Sequence, residues 1–157
     1  MHKSFQLIAC FYDTMSMVFR YSETANPDGS TCKRPAIPIS FSNGSSRYDI
    51  LSLIDSGADM SALDFRWAKL LNLDLNGKRT KSYGVTGSAD TVISNVTLGI
   101  NKGHESYSIN VPVRVLFVDD TAPYVPTLIG RKGFFDDFVI TIDESNSKIK
   151  LKHNGQE

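Results

Sequence analysis

The segment LSLIDSGADMSAL, residues 51–63, places one carboxylate, Asp55, at the end of a mostly apolar run. A carboxylate is costly to bury without partners, so an aspartate that ends a buried strand usually has a function. Ser56 can hydrogen-bond locally, and Gly57 permits a tight turn that a Cβ atom would block. The segment therefore predicts a strand that ends in a functional acidic turn.

Two later segments also combine apolar residues with glycine. YGVTGS at residues 83–88 has two glycines where a hairpin tip is predicted, and LIGR at residues 128–131 ends a second apolar run with glycine. In order and spacing, the three segments together resemble a retropepsin-like aspartic protease, and the resemblance covers about residues 35–152. It implies a mainly β fold: a closed acid-protease barrel with one or two short helices and one lobe per chain.

Length and composition predict one main domain in a chain of 157 residues. We expect the retropepsin-like domain at residues 35–153, an N-terminal extension of strands and a loop packed on it at residues 1–34, and a frayed tail at residues 154–157. Seventeen basic residues balance seventeen acidic ones, which disfavours nucleic acid or an anionic membrane as a partner. No apolar run approaches the ~18 to 20 residues of a transmembrane helix.

The N-terminal segment predicts a protein that is not exported. LIAC at residues 7–10 resembles a lipoprotein cleavage box, but the apolar run before it is short and contains Gln6. A secretory signal needs a core of about 7 to 15 apolar residues. We therefore expect a cytoplasmic location.

Hydrophobic alternation predicts strands over most of the chain. Asn43-Gly44 is a strong hairpin turn, and Asp64 can cap a helix that places Trp67, Leu70 and Leu71 on one face. Trp67 could stack on a ligand, but core packing is the favoured interpretation. A second short helix is expected at residues 131–138. Strands are expected at residues 4–11, 15–22, 37–42, 48–54, 81–83, 90–93, 96–100, 109–117, 125–129, 139–143 and 148–152.

The resemblance assigns three residues to catalysis. Asp55 matches the catalytic aspartate, Ser56 matches a residue whose hydroxyl supports the catalytic pair, and Gly57 matches a glycine whose carbonyl contacts the substrate backbone. Peptide hydrolysis of this kind uses one ionised carboxylate to activate water and one protonated carboxyl group to protonate the amide. In aspartic proteases as a class, two carboxylates about 3 Å apart share one proton because both cannot ionise cheaply.

The resemblance also assigns residues to substrate binding and to support of the site. Gly57 and Asp59 match residues near the substrate, and the tip formed by Gly84, Val85 and Thr86 matches the flap that closes over it. Without the resemblance, a simple surface turn would be favoured for this tip.

Gly130 and Arg131 match residues that support the site. Gly130 matches a glycine that allows two inner strands to pack closely, and Arg131 matches an arginine that is commonly paired with the acid at Asp59. Such a pair fixes geometry through bidentate hydrogen bonds. A purely structural ion pair between the two residues is an equally open interpretation.

The chain contains a single Asp-Ser-Gly segment, and its length excludes a two-lobed enzyme. The second carboxylate must then come from a second copy, so the prediction is a homodimer that cleaves polypeptides and uses neither cofactor nor metal. His2, His104 and His153 are scattered and no His-Glu-x-x-His motif occurs, so metal hydrolysis is poorly supported. The serious alternative is a catalytically weak dimer of the same fold that binds peptides or holds partners together.

Overall fold

The computed structural model describes residues 16–84 and 87–155. The predicted strand at residues 4–11 therefore lies outside the described residues. The described elements, in chain order, are β1 (Ser16–Arg20), β2 (Ser22–Ala25), β3 (Thr31–Arg34), β4 (Ala36–Asn43), β5 (Ser46–Ile54), β6 (Ser61–Asp64), α1 (Phe65–Leu70), β7 (Thr80–Gly84), β8 (Gly87–Lys102), β9 (Glu105–Phe117), β10 (Thr127–Ile129), α2 (Phe134–Asp137), β11 (Phe138–Asp143) and β12 (Lys148–His153).

The main sheet closes on itself. Its strand order is β4-β5-β10-β6-β9-β8-β7, and β4 pairs with β8 as well as with β5. On β9 the alternation expected from the sequence holds, because Val111, Val113 and Val115 are fully buried while the residues between them are not. The predicted mainly β, single-lobed barrel with two short helices is confirmed.

The short strand β10 lies between β5 and β6. It runs parallel to β5, with Ile129 opposite Ile54, and antiparallel to β6, with Leu128 opposite Ala62. This arrangement brings the end of β10 beside the loop that connects β5 to β6. The acidic turn and the Leu-Ile-Gly-Arg segment are therefore neighbours in space.

Residues near both ends of the described chain form a second sheet. The order of this sheet is β1-β12-β11, with Phe19 opposite Ile149, and β2 and β3 make a separate hairpin. The single strand predicted at residues 15–22 is divided between β1 and β2 at Tyr21, whose backbone N–H donates to the carbonyl of Ser147 at 2.9 Å. Asn154, at the start of the predicted tail, donates through its backbone N–H to the carbonyl of Asp137 at 2.9 Å.

Helix α1 confirms the predicted cap but not the whole predicted face. Asp64 Oδ1 accepts from the backbone N–H of Arg66 at 2.9 Å, as an N-cap should. Ala68 and Leu71 are fully buried, whereas Leu70 is 48% exposed, so its predicted burial was wrong. Leu70 lies about 200° around the helix from Ala68, on the solvent side. Trp67 packs partly buried against the core, as predicted.

Among the described residues, no helix is both long and apolar enough to cross a membrane.

Candidate active site

Three hydrogen bonds donated by backbone N–H groups hold the acidic turn. The N–H of Asp55 donates to the carbonyl of Ile129 at 3.0 Å, which attaches the turn to β10, and the carbonyl of Asp55 accepts from Ala58 at 3.2 Å. The half-buried carboxylate accepts through Oδ1 from the N–H of Gly57 at 2.9 Å. A Cβ atom on Gly57 would lie 3.1 Å from that same oxygen, so glycine suits this position. The turn therefore fixes the direction of the carboxylate.

The end of β10 packs directly on this turn. A Cβ atom on Gly130 would lie 2.3 Å from the backbone carbon of Met60, so only glycine fits without a shift of the backbone. The N–H of Gly130 donates to the buried hydroxyl of Ser61 at 3.1 Å, and the N–H of Arg131 donates to the carbonyl of Ala58 at 2.9 Å. These contacts connect the two segments that the sequence singled out.

The hairpin β7–β8 lies across a cavity from the acidic turn. Tyr83 pairs with Ser88 and Gly84 pairs with Gly87, so a two-residue connection closes the hairpin. Val85 and Thr86 form this connection and lie outside the described residues. The cavity has a volume of about 490 Å³ and is lined by residues 57–60, 82–84 and 87–89, and by Ala62, Arg114, Leu116, Val118, Val125 and Leu128.

The structure places the remaining predicted site residues at the surface. Ser56 and Gly57 are exposed in the single chain, next to the partly buried Asp55. Asp59 is also at the rim, with 70% of its side chain exposed, and its carboxylate lies 4.0 Å from the guanidinium of Arg114. The implied partner, Arg131, is exposed and contributes backbone hydrogen bonds instead. The ion pair that the structure gives Asp59 is therefore with Arg114 and not with Arg131.

A buried ion pair beside the cavity was not predicted from the sequence. Both oxygens of the fully buried Asp64 carboxylate accept from the Arg66 guanidinium, at 2.9 and 2.6 Å, and Oδ2 also accepts from the N–H of Val125 at 3.2 Å. Arg66 in turn donates to the carbonyl of Ala122 at 2.8 Å and covers the ring of Tyr124 at 3.9 Å. The Asp64–Arg66 pair thereby fixes the loop that places Val125 in the cavity wall.

The Asp64 pair predicts a pH-dependent loss of stability in Asp64→Asn. Burial alone would raise the pKa of Asp64, but the hydrogen bonds from Arg66 and Val125 outweigh it, so the pKa lies below its ordinary value of 3.8. We expect Asp64→Asn to lower the free energy of unfolding by about 2 kcal/mol at neutral pH. Because the pKa of Asp64 is lower in the folded state, its ionised form stabilises the fold at pH values above the unfolded-state pKa of 3.8. This contribution is lost as the pH falls through the folded-state pKa.

Urea unfolding of the wild type and Asp64→Asn from neutral pH to about pH 3 measures this difference. Asp90→Asn is the control. The side chains of Asp90 and its partner Lys81 are each more than half exposed, so their ion pair should contribute little to the free energy of unfolding. An equal loss in both variants, or a difference that grows on acidification, would contradict the role given to Asp64.

Within residues 16–84 and 87–155, no group of three or more His, Cys, Asp or Glu side chains could hold a metal ion. The Asp55 carboxylate does not itself line the cavity, but it lies in the turn whose residue Gly57 does, and the N–H of Gly57 orients it. A carboxylate in this setting can act as a general base toward water when a second acid supplies the proton.

Solved structures resemble this chain, although no protein-family model and no curated protein matches it. A retropepsin-like aspartic protease from Rickettsia conorii has a TM-score of 0.51 and 18% sequence identity, over 87% of this chain and 89% of that chain. EIAV protease complexed with the inhibitor HBY-793 has a TM-score of 0.43 and 24% identity, over 69% of this chain and 88% of that chain. Together with the closed barrel and its β5-β10-β6 centre, the likeness to the Rickettsia structure shows that this chain has the retropepsin-like fold.

Proposed function

We propose that the protein is an aspartic endopeptidase that acts as a homodimer. The observation that carries the proposal is the Asp55 turn: one oriented carboxylate at the end of an inner strand, beside a cavity bounded by a glycine-containing hairpin. The retropepsin-like fold supports the proposal, because the similar Rickettsia protein is described as an aspartic protease.

The dimer follows from the number of acids that the reaction needs. One carboxylate must take a proton from water while a second protonates the amide, and the sequence has a single Asp-Ser-Gly segment. A two-fold axis next to Asp55 would supply the same residue twice. The exposure of Ser56 and Gly57 in the single chain supports this arrangement, since a second subunit would cover them.

In the proposed complex, an extended polypeptide occupies the cavity between the acidic turn and the β7–β8 hairpin. The Gly57 carbonyl contacts the substrate backbone, the Ser56 hydroxyl supports the acid pair, and Asp59 lies near the substrate. The hairpin tip at Gly84, Val85 and Thr86 acts as a flap that shields the substrate and the attacking water from bulk solvent. The apolar part of the cavity wall, formed by Leu116, Val118, Val125 and Leu128, favours apolar substrate side chains at the positions that contact it.

The direct test is proteolysis of an unfolded polypeptide between about pH 3 and pH 8, with the products identified by mass spectrometry. We expect internal cleavage that a peptide carrying a hydroxyl group in place of the scissile amide inhibits, because such a peptide resembles the tetrahedral transition state. Specific activity should also fall on dilution, as dimers dissociate.

Binding of the inhibitor without cleavage at any pH would refute the protease and favour the peptide-binding alternative. Activity that is independent of dilution, in a species that sediments as a monomer, would refute the homodimer.

A further inference from the structure

Arg114 lies in the wall of the cavity. Strand alternation on β9 turns Val113 and Val115 into the core, while Arg114 and Leu116 face the cavity. Across the sheet, Arg114 is opposite Ala62, which is in turn opposite Leu128, and both of these neighbours are apolar. Among the described residues that line the cavity, Arg114 is the only cation and Asp59 the only anion.

The contacts of Arg114 leave most of its hydrogen-bonding capacity unused. Nη1 donates to the hydroxyl of Ser82 at 3.3 Å, and Nη2 lies 4.0 Å from Asp59 Oδ2, a distance too long for a hydrogen bond. A guanidinium has five N–H donors, so a ligand can accept several hydrogen bonds from Arg114. The contact with Ser82 on β7 also holds the guanidinium toward the hairpin that bounds the cavity.

The charge of Arg114 is more sheltered from water than the charge of Asp59. The side chain of Arg114 is 29% exposed, whereas that of Asp59 is 70% exposed. Exposed charges are screened by water and salt, while a charge in a partly apolar wall interacts more strongly with a bound group. The cavity therefore presents to a bound side chain mainly a positive charge, in the planar fork geometry that suits a carboxylate.

We propose that Arg114 is a specificity-determining residue that binds an acidic side chain, Asp or Glu, of the polypeptide substrate in this cavity. The inference rests on the proposed function, since it names the substrate class for the same cavity. A substrate without a carboxylate leaves this partly desolvated guanidinium with only the Ser82 hydroxyl and the exposed carboxylate of Asp59 at 4.0 Å. A binding site with buried polar groups discriminates strongly against ligands that lack the matching hydrogen-bonding group.

The test compares peptides that differ only by Glu or Gln, scanned through each position on both sides of the cleaved bond. The measurement is the ratio of kcat/KM for the Glu and Gln peptides at about pH 6, where a glutamate side chain is ionised. We expect a ratio of about tenfold or more at one position for the wild type, and a ratio near one for Arg114→Met. Arg114→Glu should prefer Lys at that same position.

The matched control is Arg47→Met, which removes one positive charge from an exposed position of β5 outside the cavity. This variant should keep the wild-type preference for Glu. The ratio is taken within each variant, so it does not depend on how much active enzyme each preparation contains.

Failure of the inference and failure of the proposed function give different results. If the wild type cleaves peptides with a Glu to Gln ratio near one at every position, or if Arg114→Met keeps the preference, the inference is wrong and the protease stands. If no peptide is cleaved, the protease fails, and fluorescence anisotropy with the same labelled peptides then decides the inference. Tighter binding of Glu peptides by the wild type but not by Arg114→Met supports it, and equal binding refutes it.

Discussion

Asp55→Asn is expected to lower kcat for peptide cleavage by about 1,000-fold or more, because an amide can neither accept the proton of water nor share one with a partner carboxylate. The substitution preserves the size of the side chain, and Oδ1 can still accept from the N–H of Gly57. The fold should therefore remain intact. Dimer formation should change little, because the amide has the size of the carboxyl group and can still donate and accept hydrogen bonds at the axis.

The control for this substitution is Asp49→Asn, which makes the same chemical change at an exposed position of β5, the strand that leads into Asp55. It should keep wild-type kcat and KM. Circular dichroism and sedimentation of all three proteins separate a loss of chemistry from a loss of fold or assembly. If Asp55→Asn and the wild type cleave at similar rates across the pH range, Asp55 has no part in catalysis.

Gly130→Ala is expected to have the largest effect on stability of the substitutions considered, a loss of about 3 kcal/mol or more in the free energy of unfolding. The added Cβ atom would lie 2.3, 2.5 and 2.8 Å from the backbone carbon, oxygen and nitrogen of Met60. Backbone atoms cannot rotate away as the end of a side chain can. Either β10 or the loop before β6 must then move, and the hydrogen bond from Arg131 to Ala58 would lengthen.

Urea unfolding of Gly130→Ala and Gly84→Ala tests this prediction with a matched pair. A Cβ atom on Gly84 has no neighbour within 4 Å, so the same added methyl group should change the stability little. The carbonyl of Ile129 on β10 accepts the hydrogen bond from the N–H of Asp55. A shift of β10 should therefore also move Asp55 and reduce catalysis in any Gly130→Ala protein that folds. Equal unfolding free energies for the two variants would show that the close contact with Met60 does not constrain the fold.

Local patterns in the sequence predicted those parts of the site that depend on neighbouring residues. The end of β5 at Ile54, the cap of α1 by Asp64 and the hairpin around Asn43-Gly44 each follow from a few adjacent side chains and their backbone preferences. These features lie where the sequence placed them. The closeness of Gly130 to the acidic turn was available only through the resemblance, since 75 positions separate Gly130 from Asp55.

Features that depend on strand pairing were not predictable in this way. Alternation on β9 shows that Arg114 lies on the opposite face from Val113, but not that β6 and the acidic turn lie beside that face. The pairing of Asp59 with Arg131 was expected from the resemblance alone, and the partner from a distant strand, Arg114, was missed. The burial of Asp64 was missed for the same reason. The N–H of Val125, which donates to Asp64, and the carbonyl of Ala122, which accepts from Arg66, both lie in a distant loop.

The exposed position of Leu70 shows a limit of periodicity in a short helix. Helix α1 has only six residues, so a small error in the assumed start of the apolar stripe changes which leucine is buried. Leu71, at the end of the helix, is buried together with Ala68, and Leu70 is on the solvent side.

The central claim is that each chain supplies one acid to a site that two chains share. The most direct measurement is activity in mixtures of wild-type and Asp55→Asn chains at constant total concentration, refolded together so that subunits assemble at random. If two Asp55 carboxylates are required, activity falls with the square of the wild-type fraction, and equal parts of the two chains retain about one quarter of the wild-type activity. Activity that falls in direct proportion to the wild-type fraction, with about one half retained in the equal mixture, would contradict the shared site.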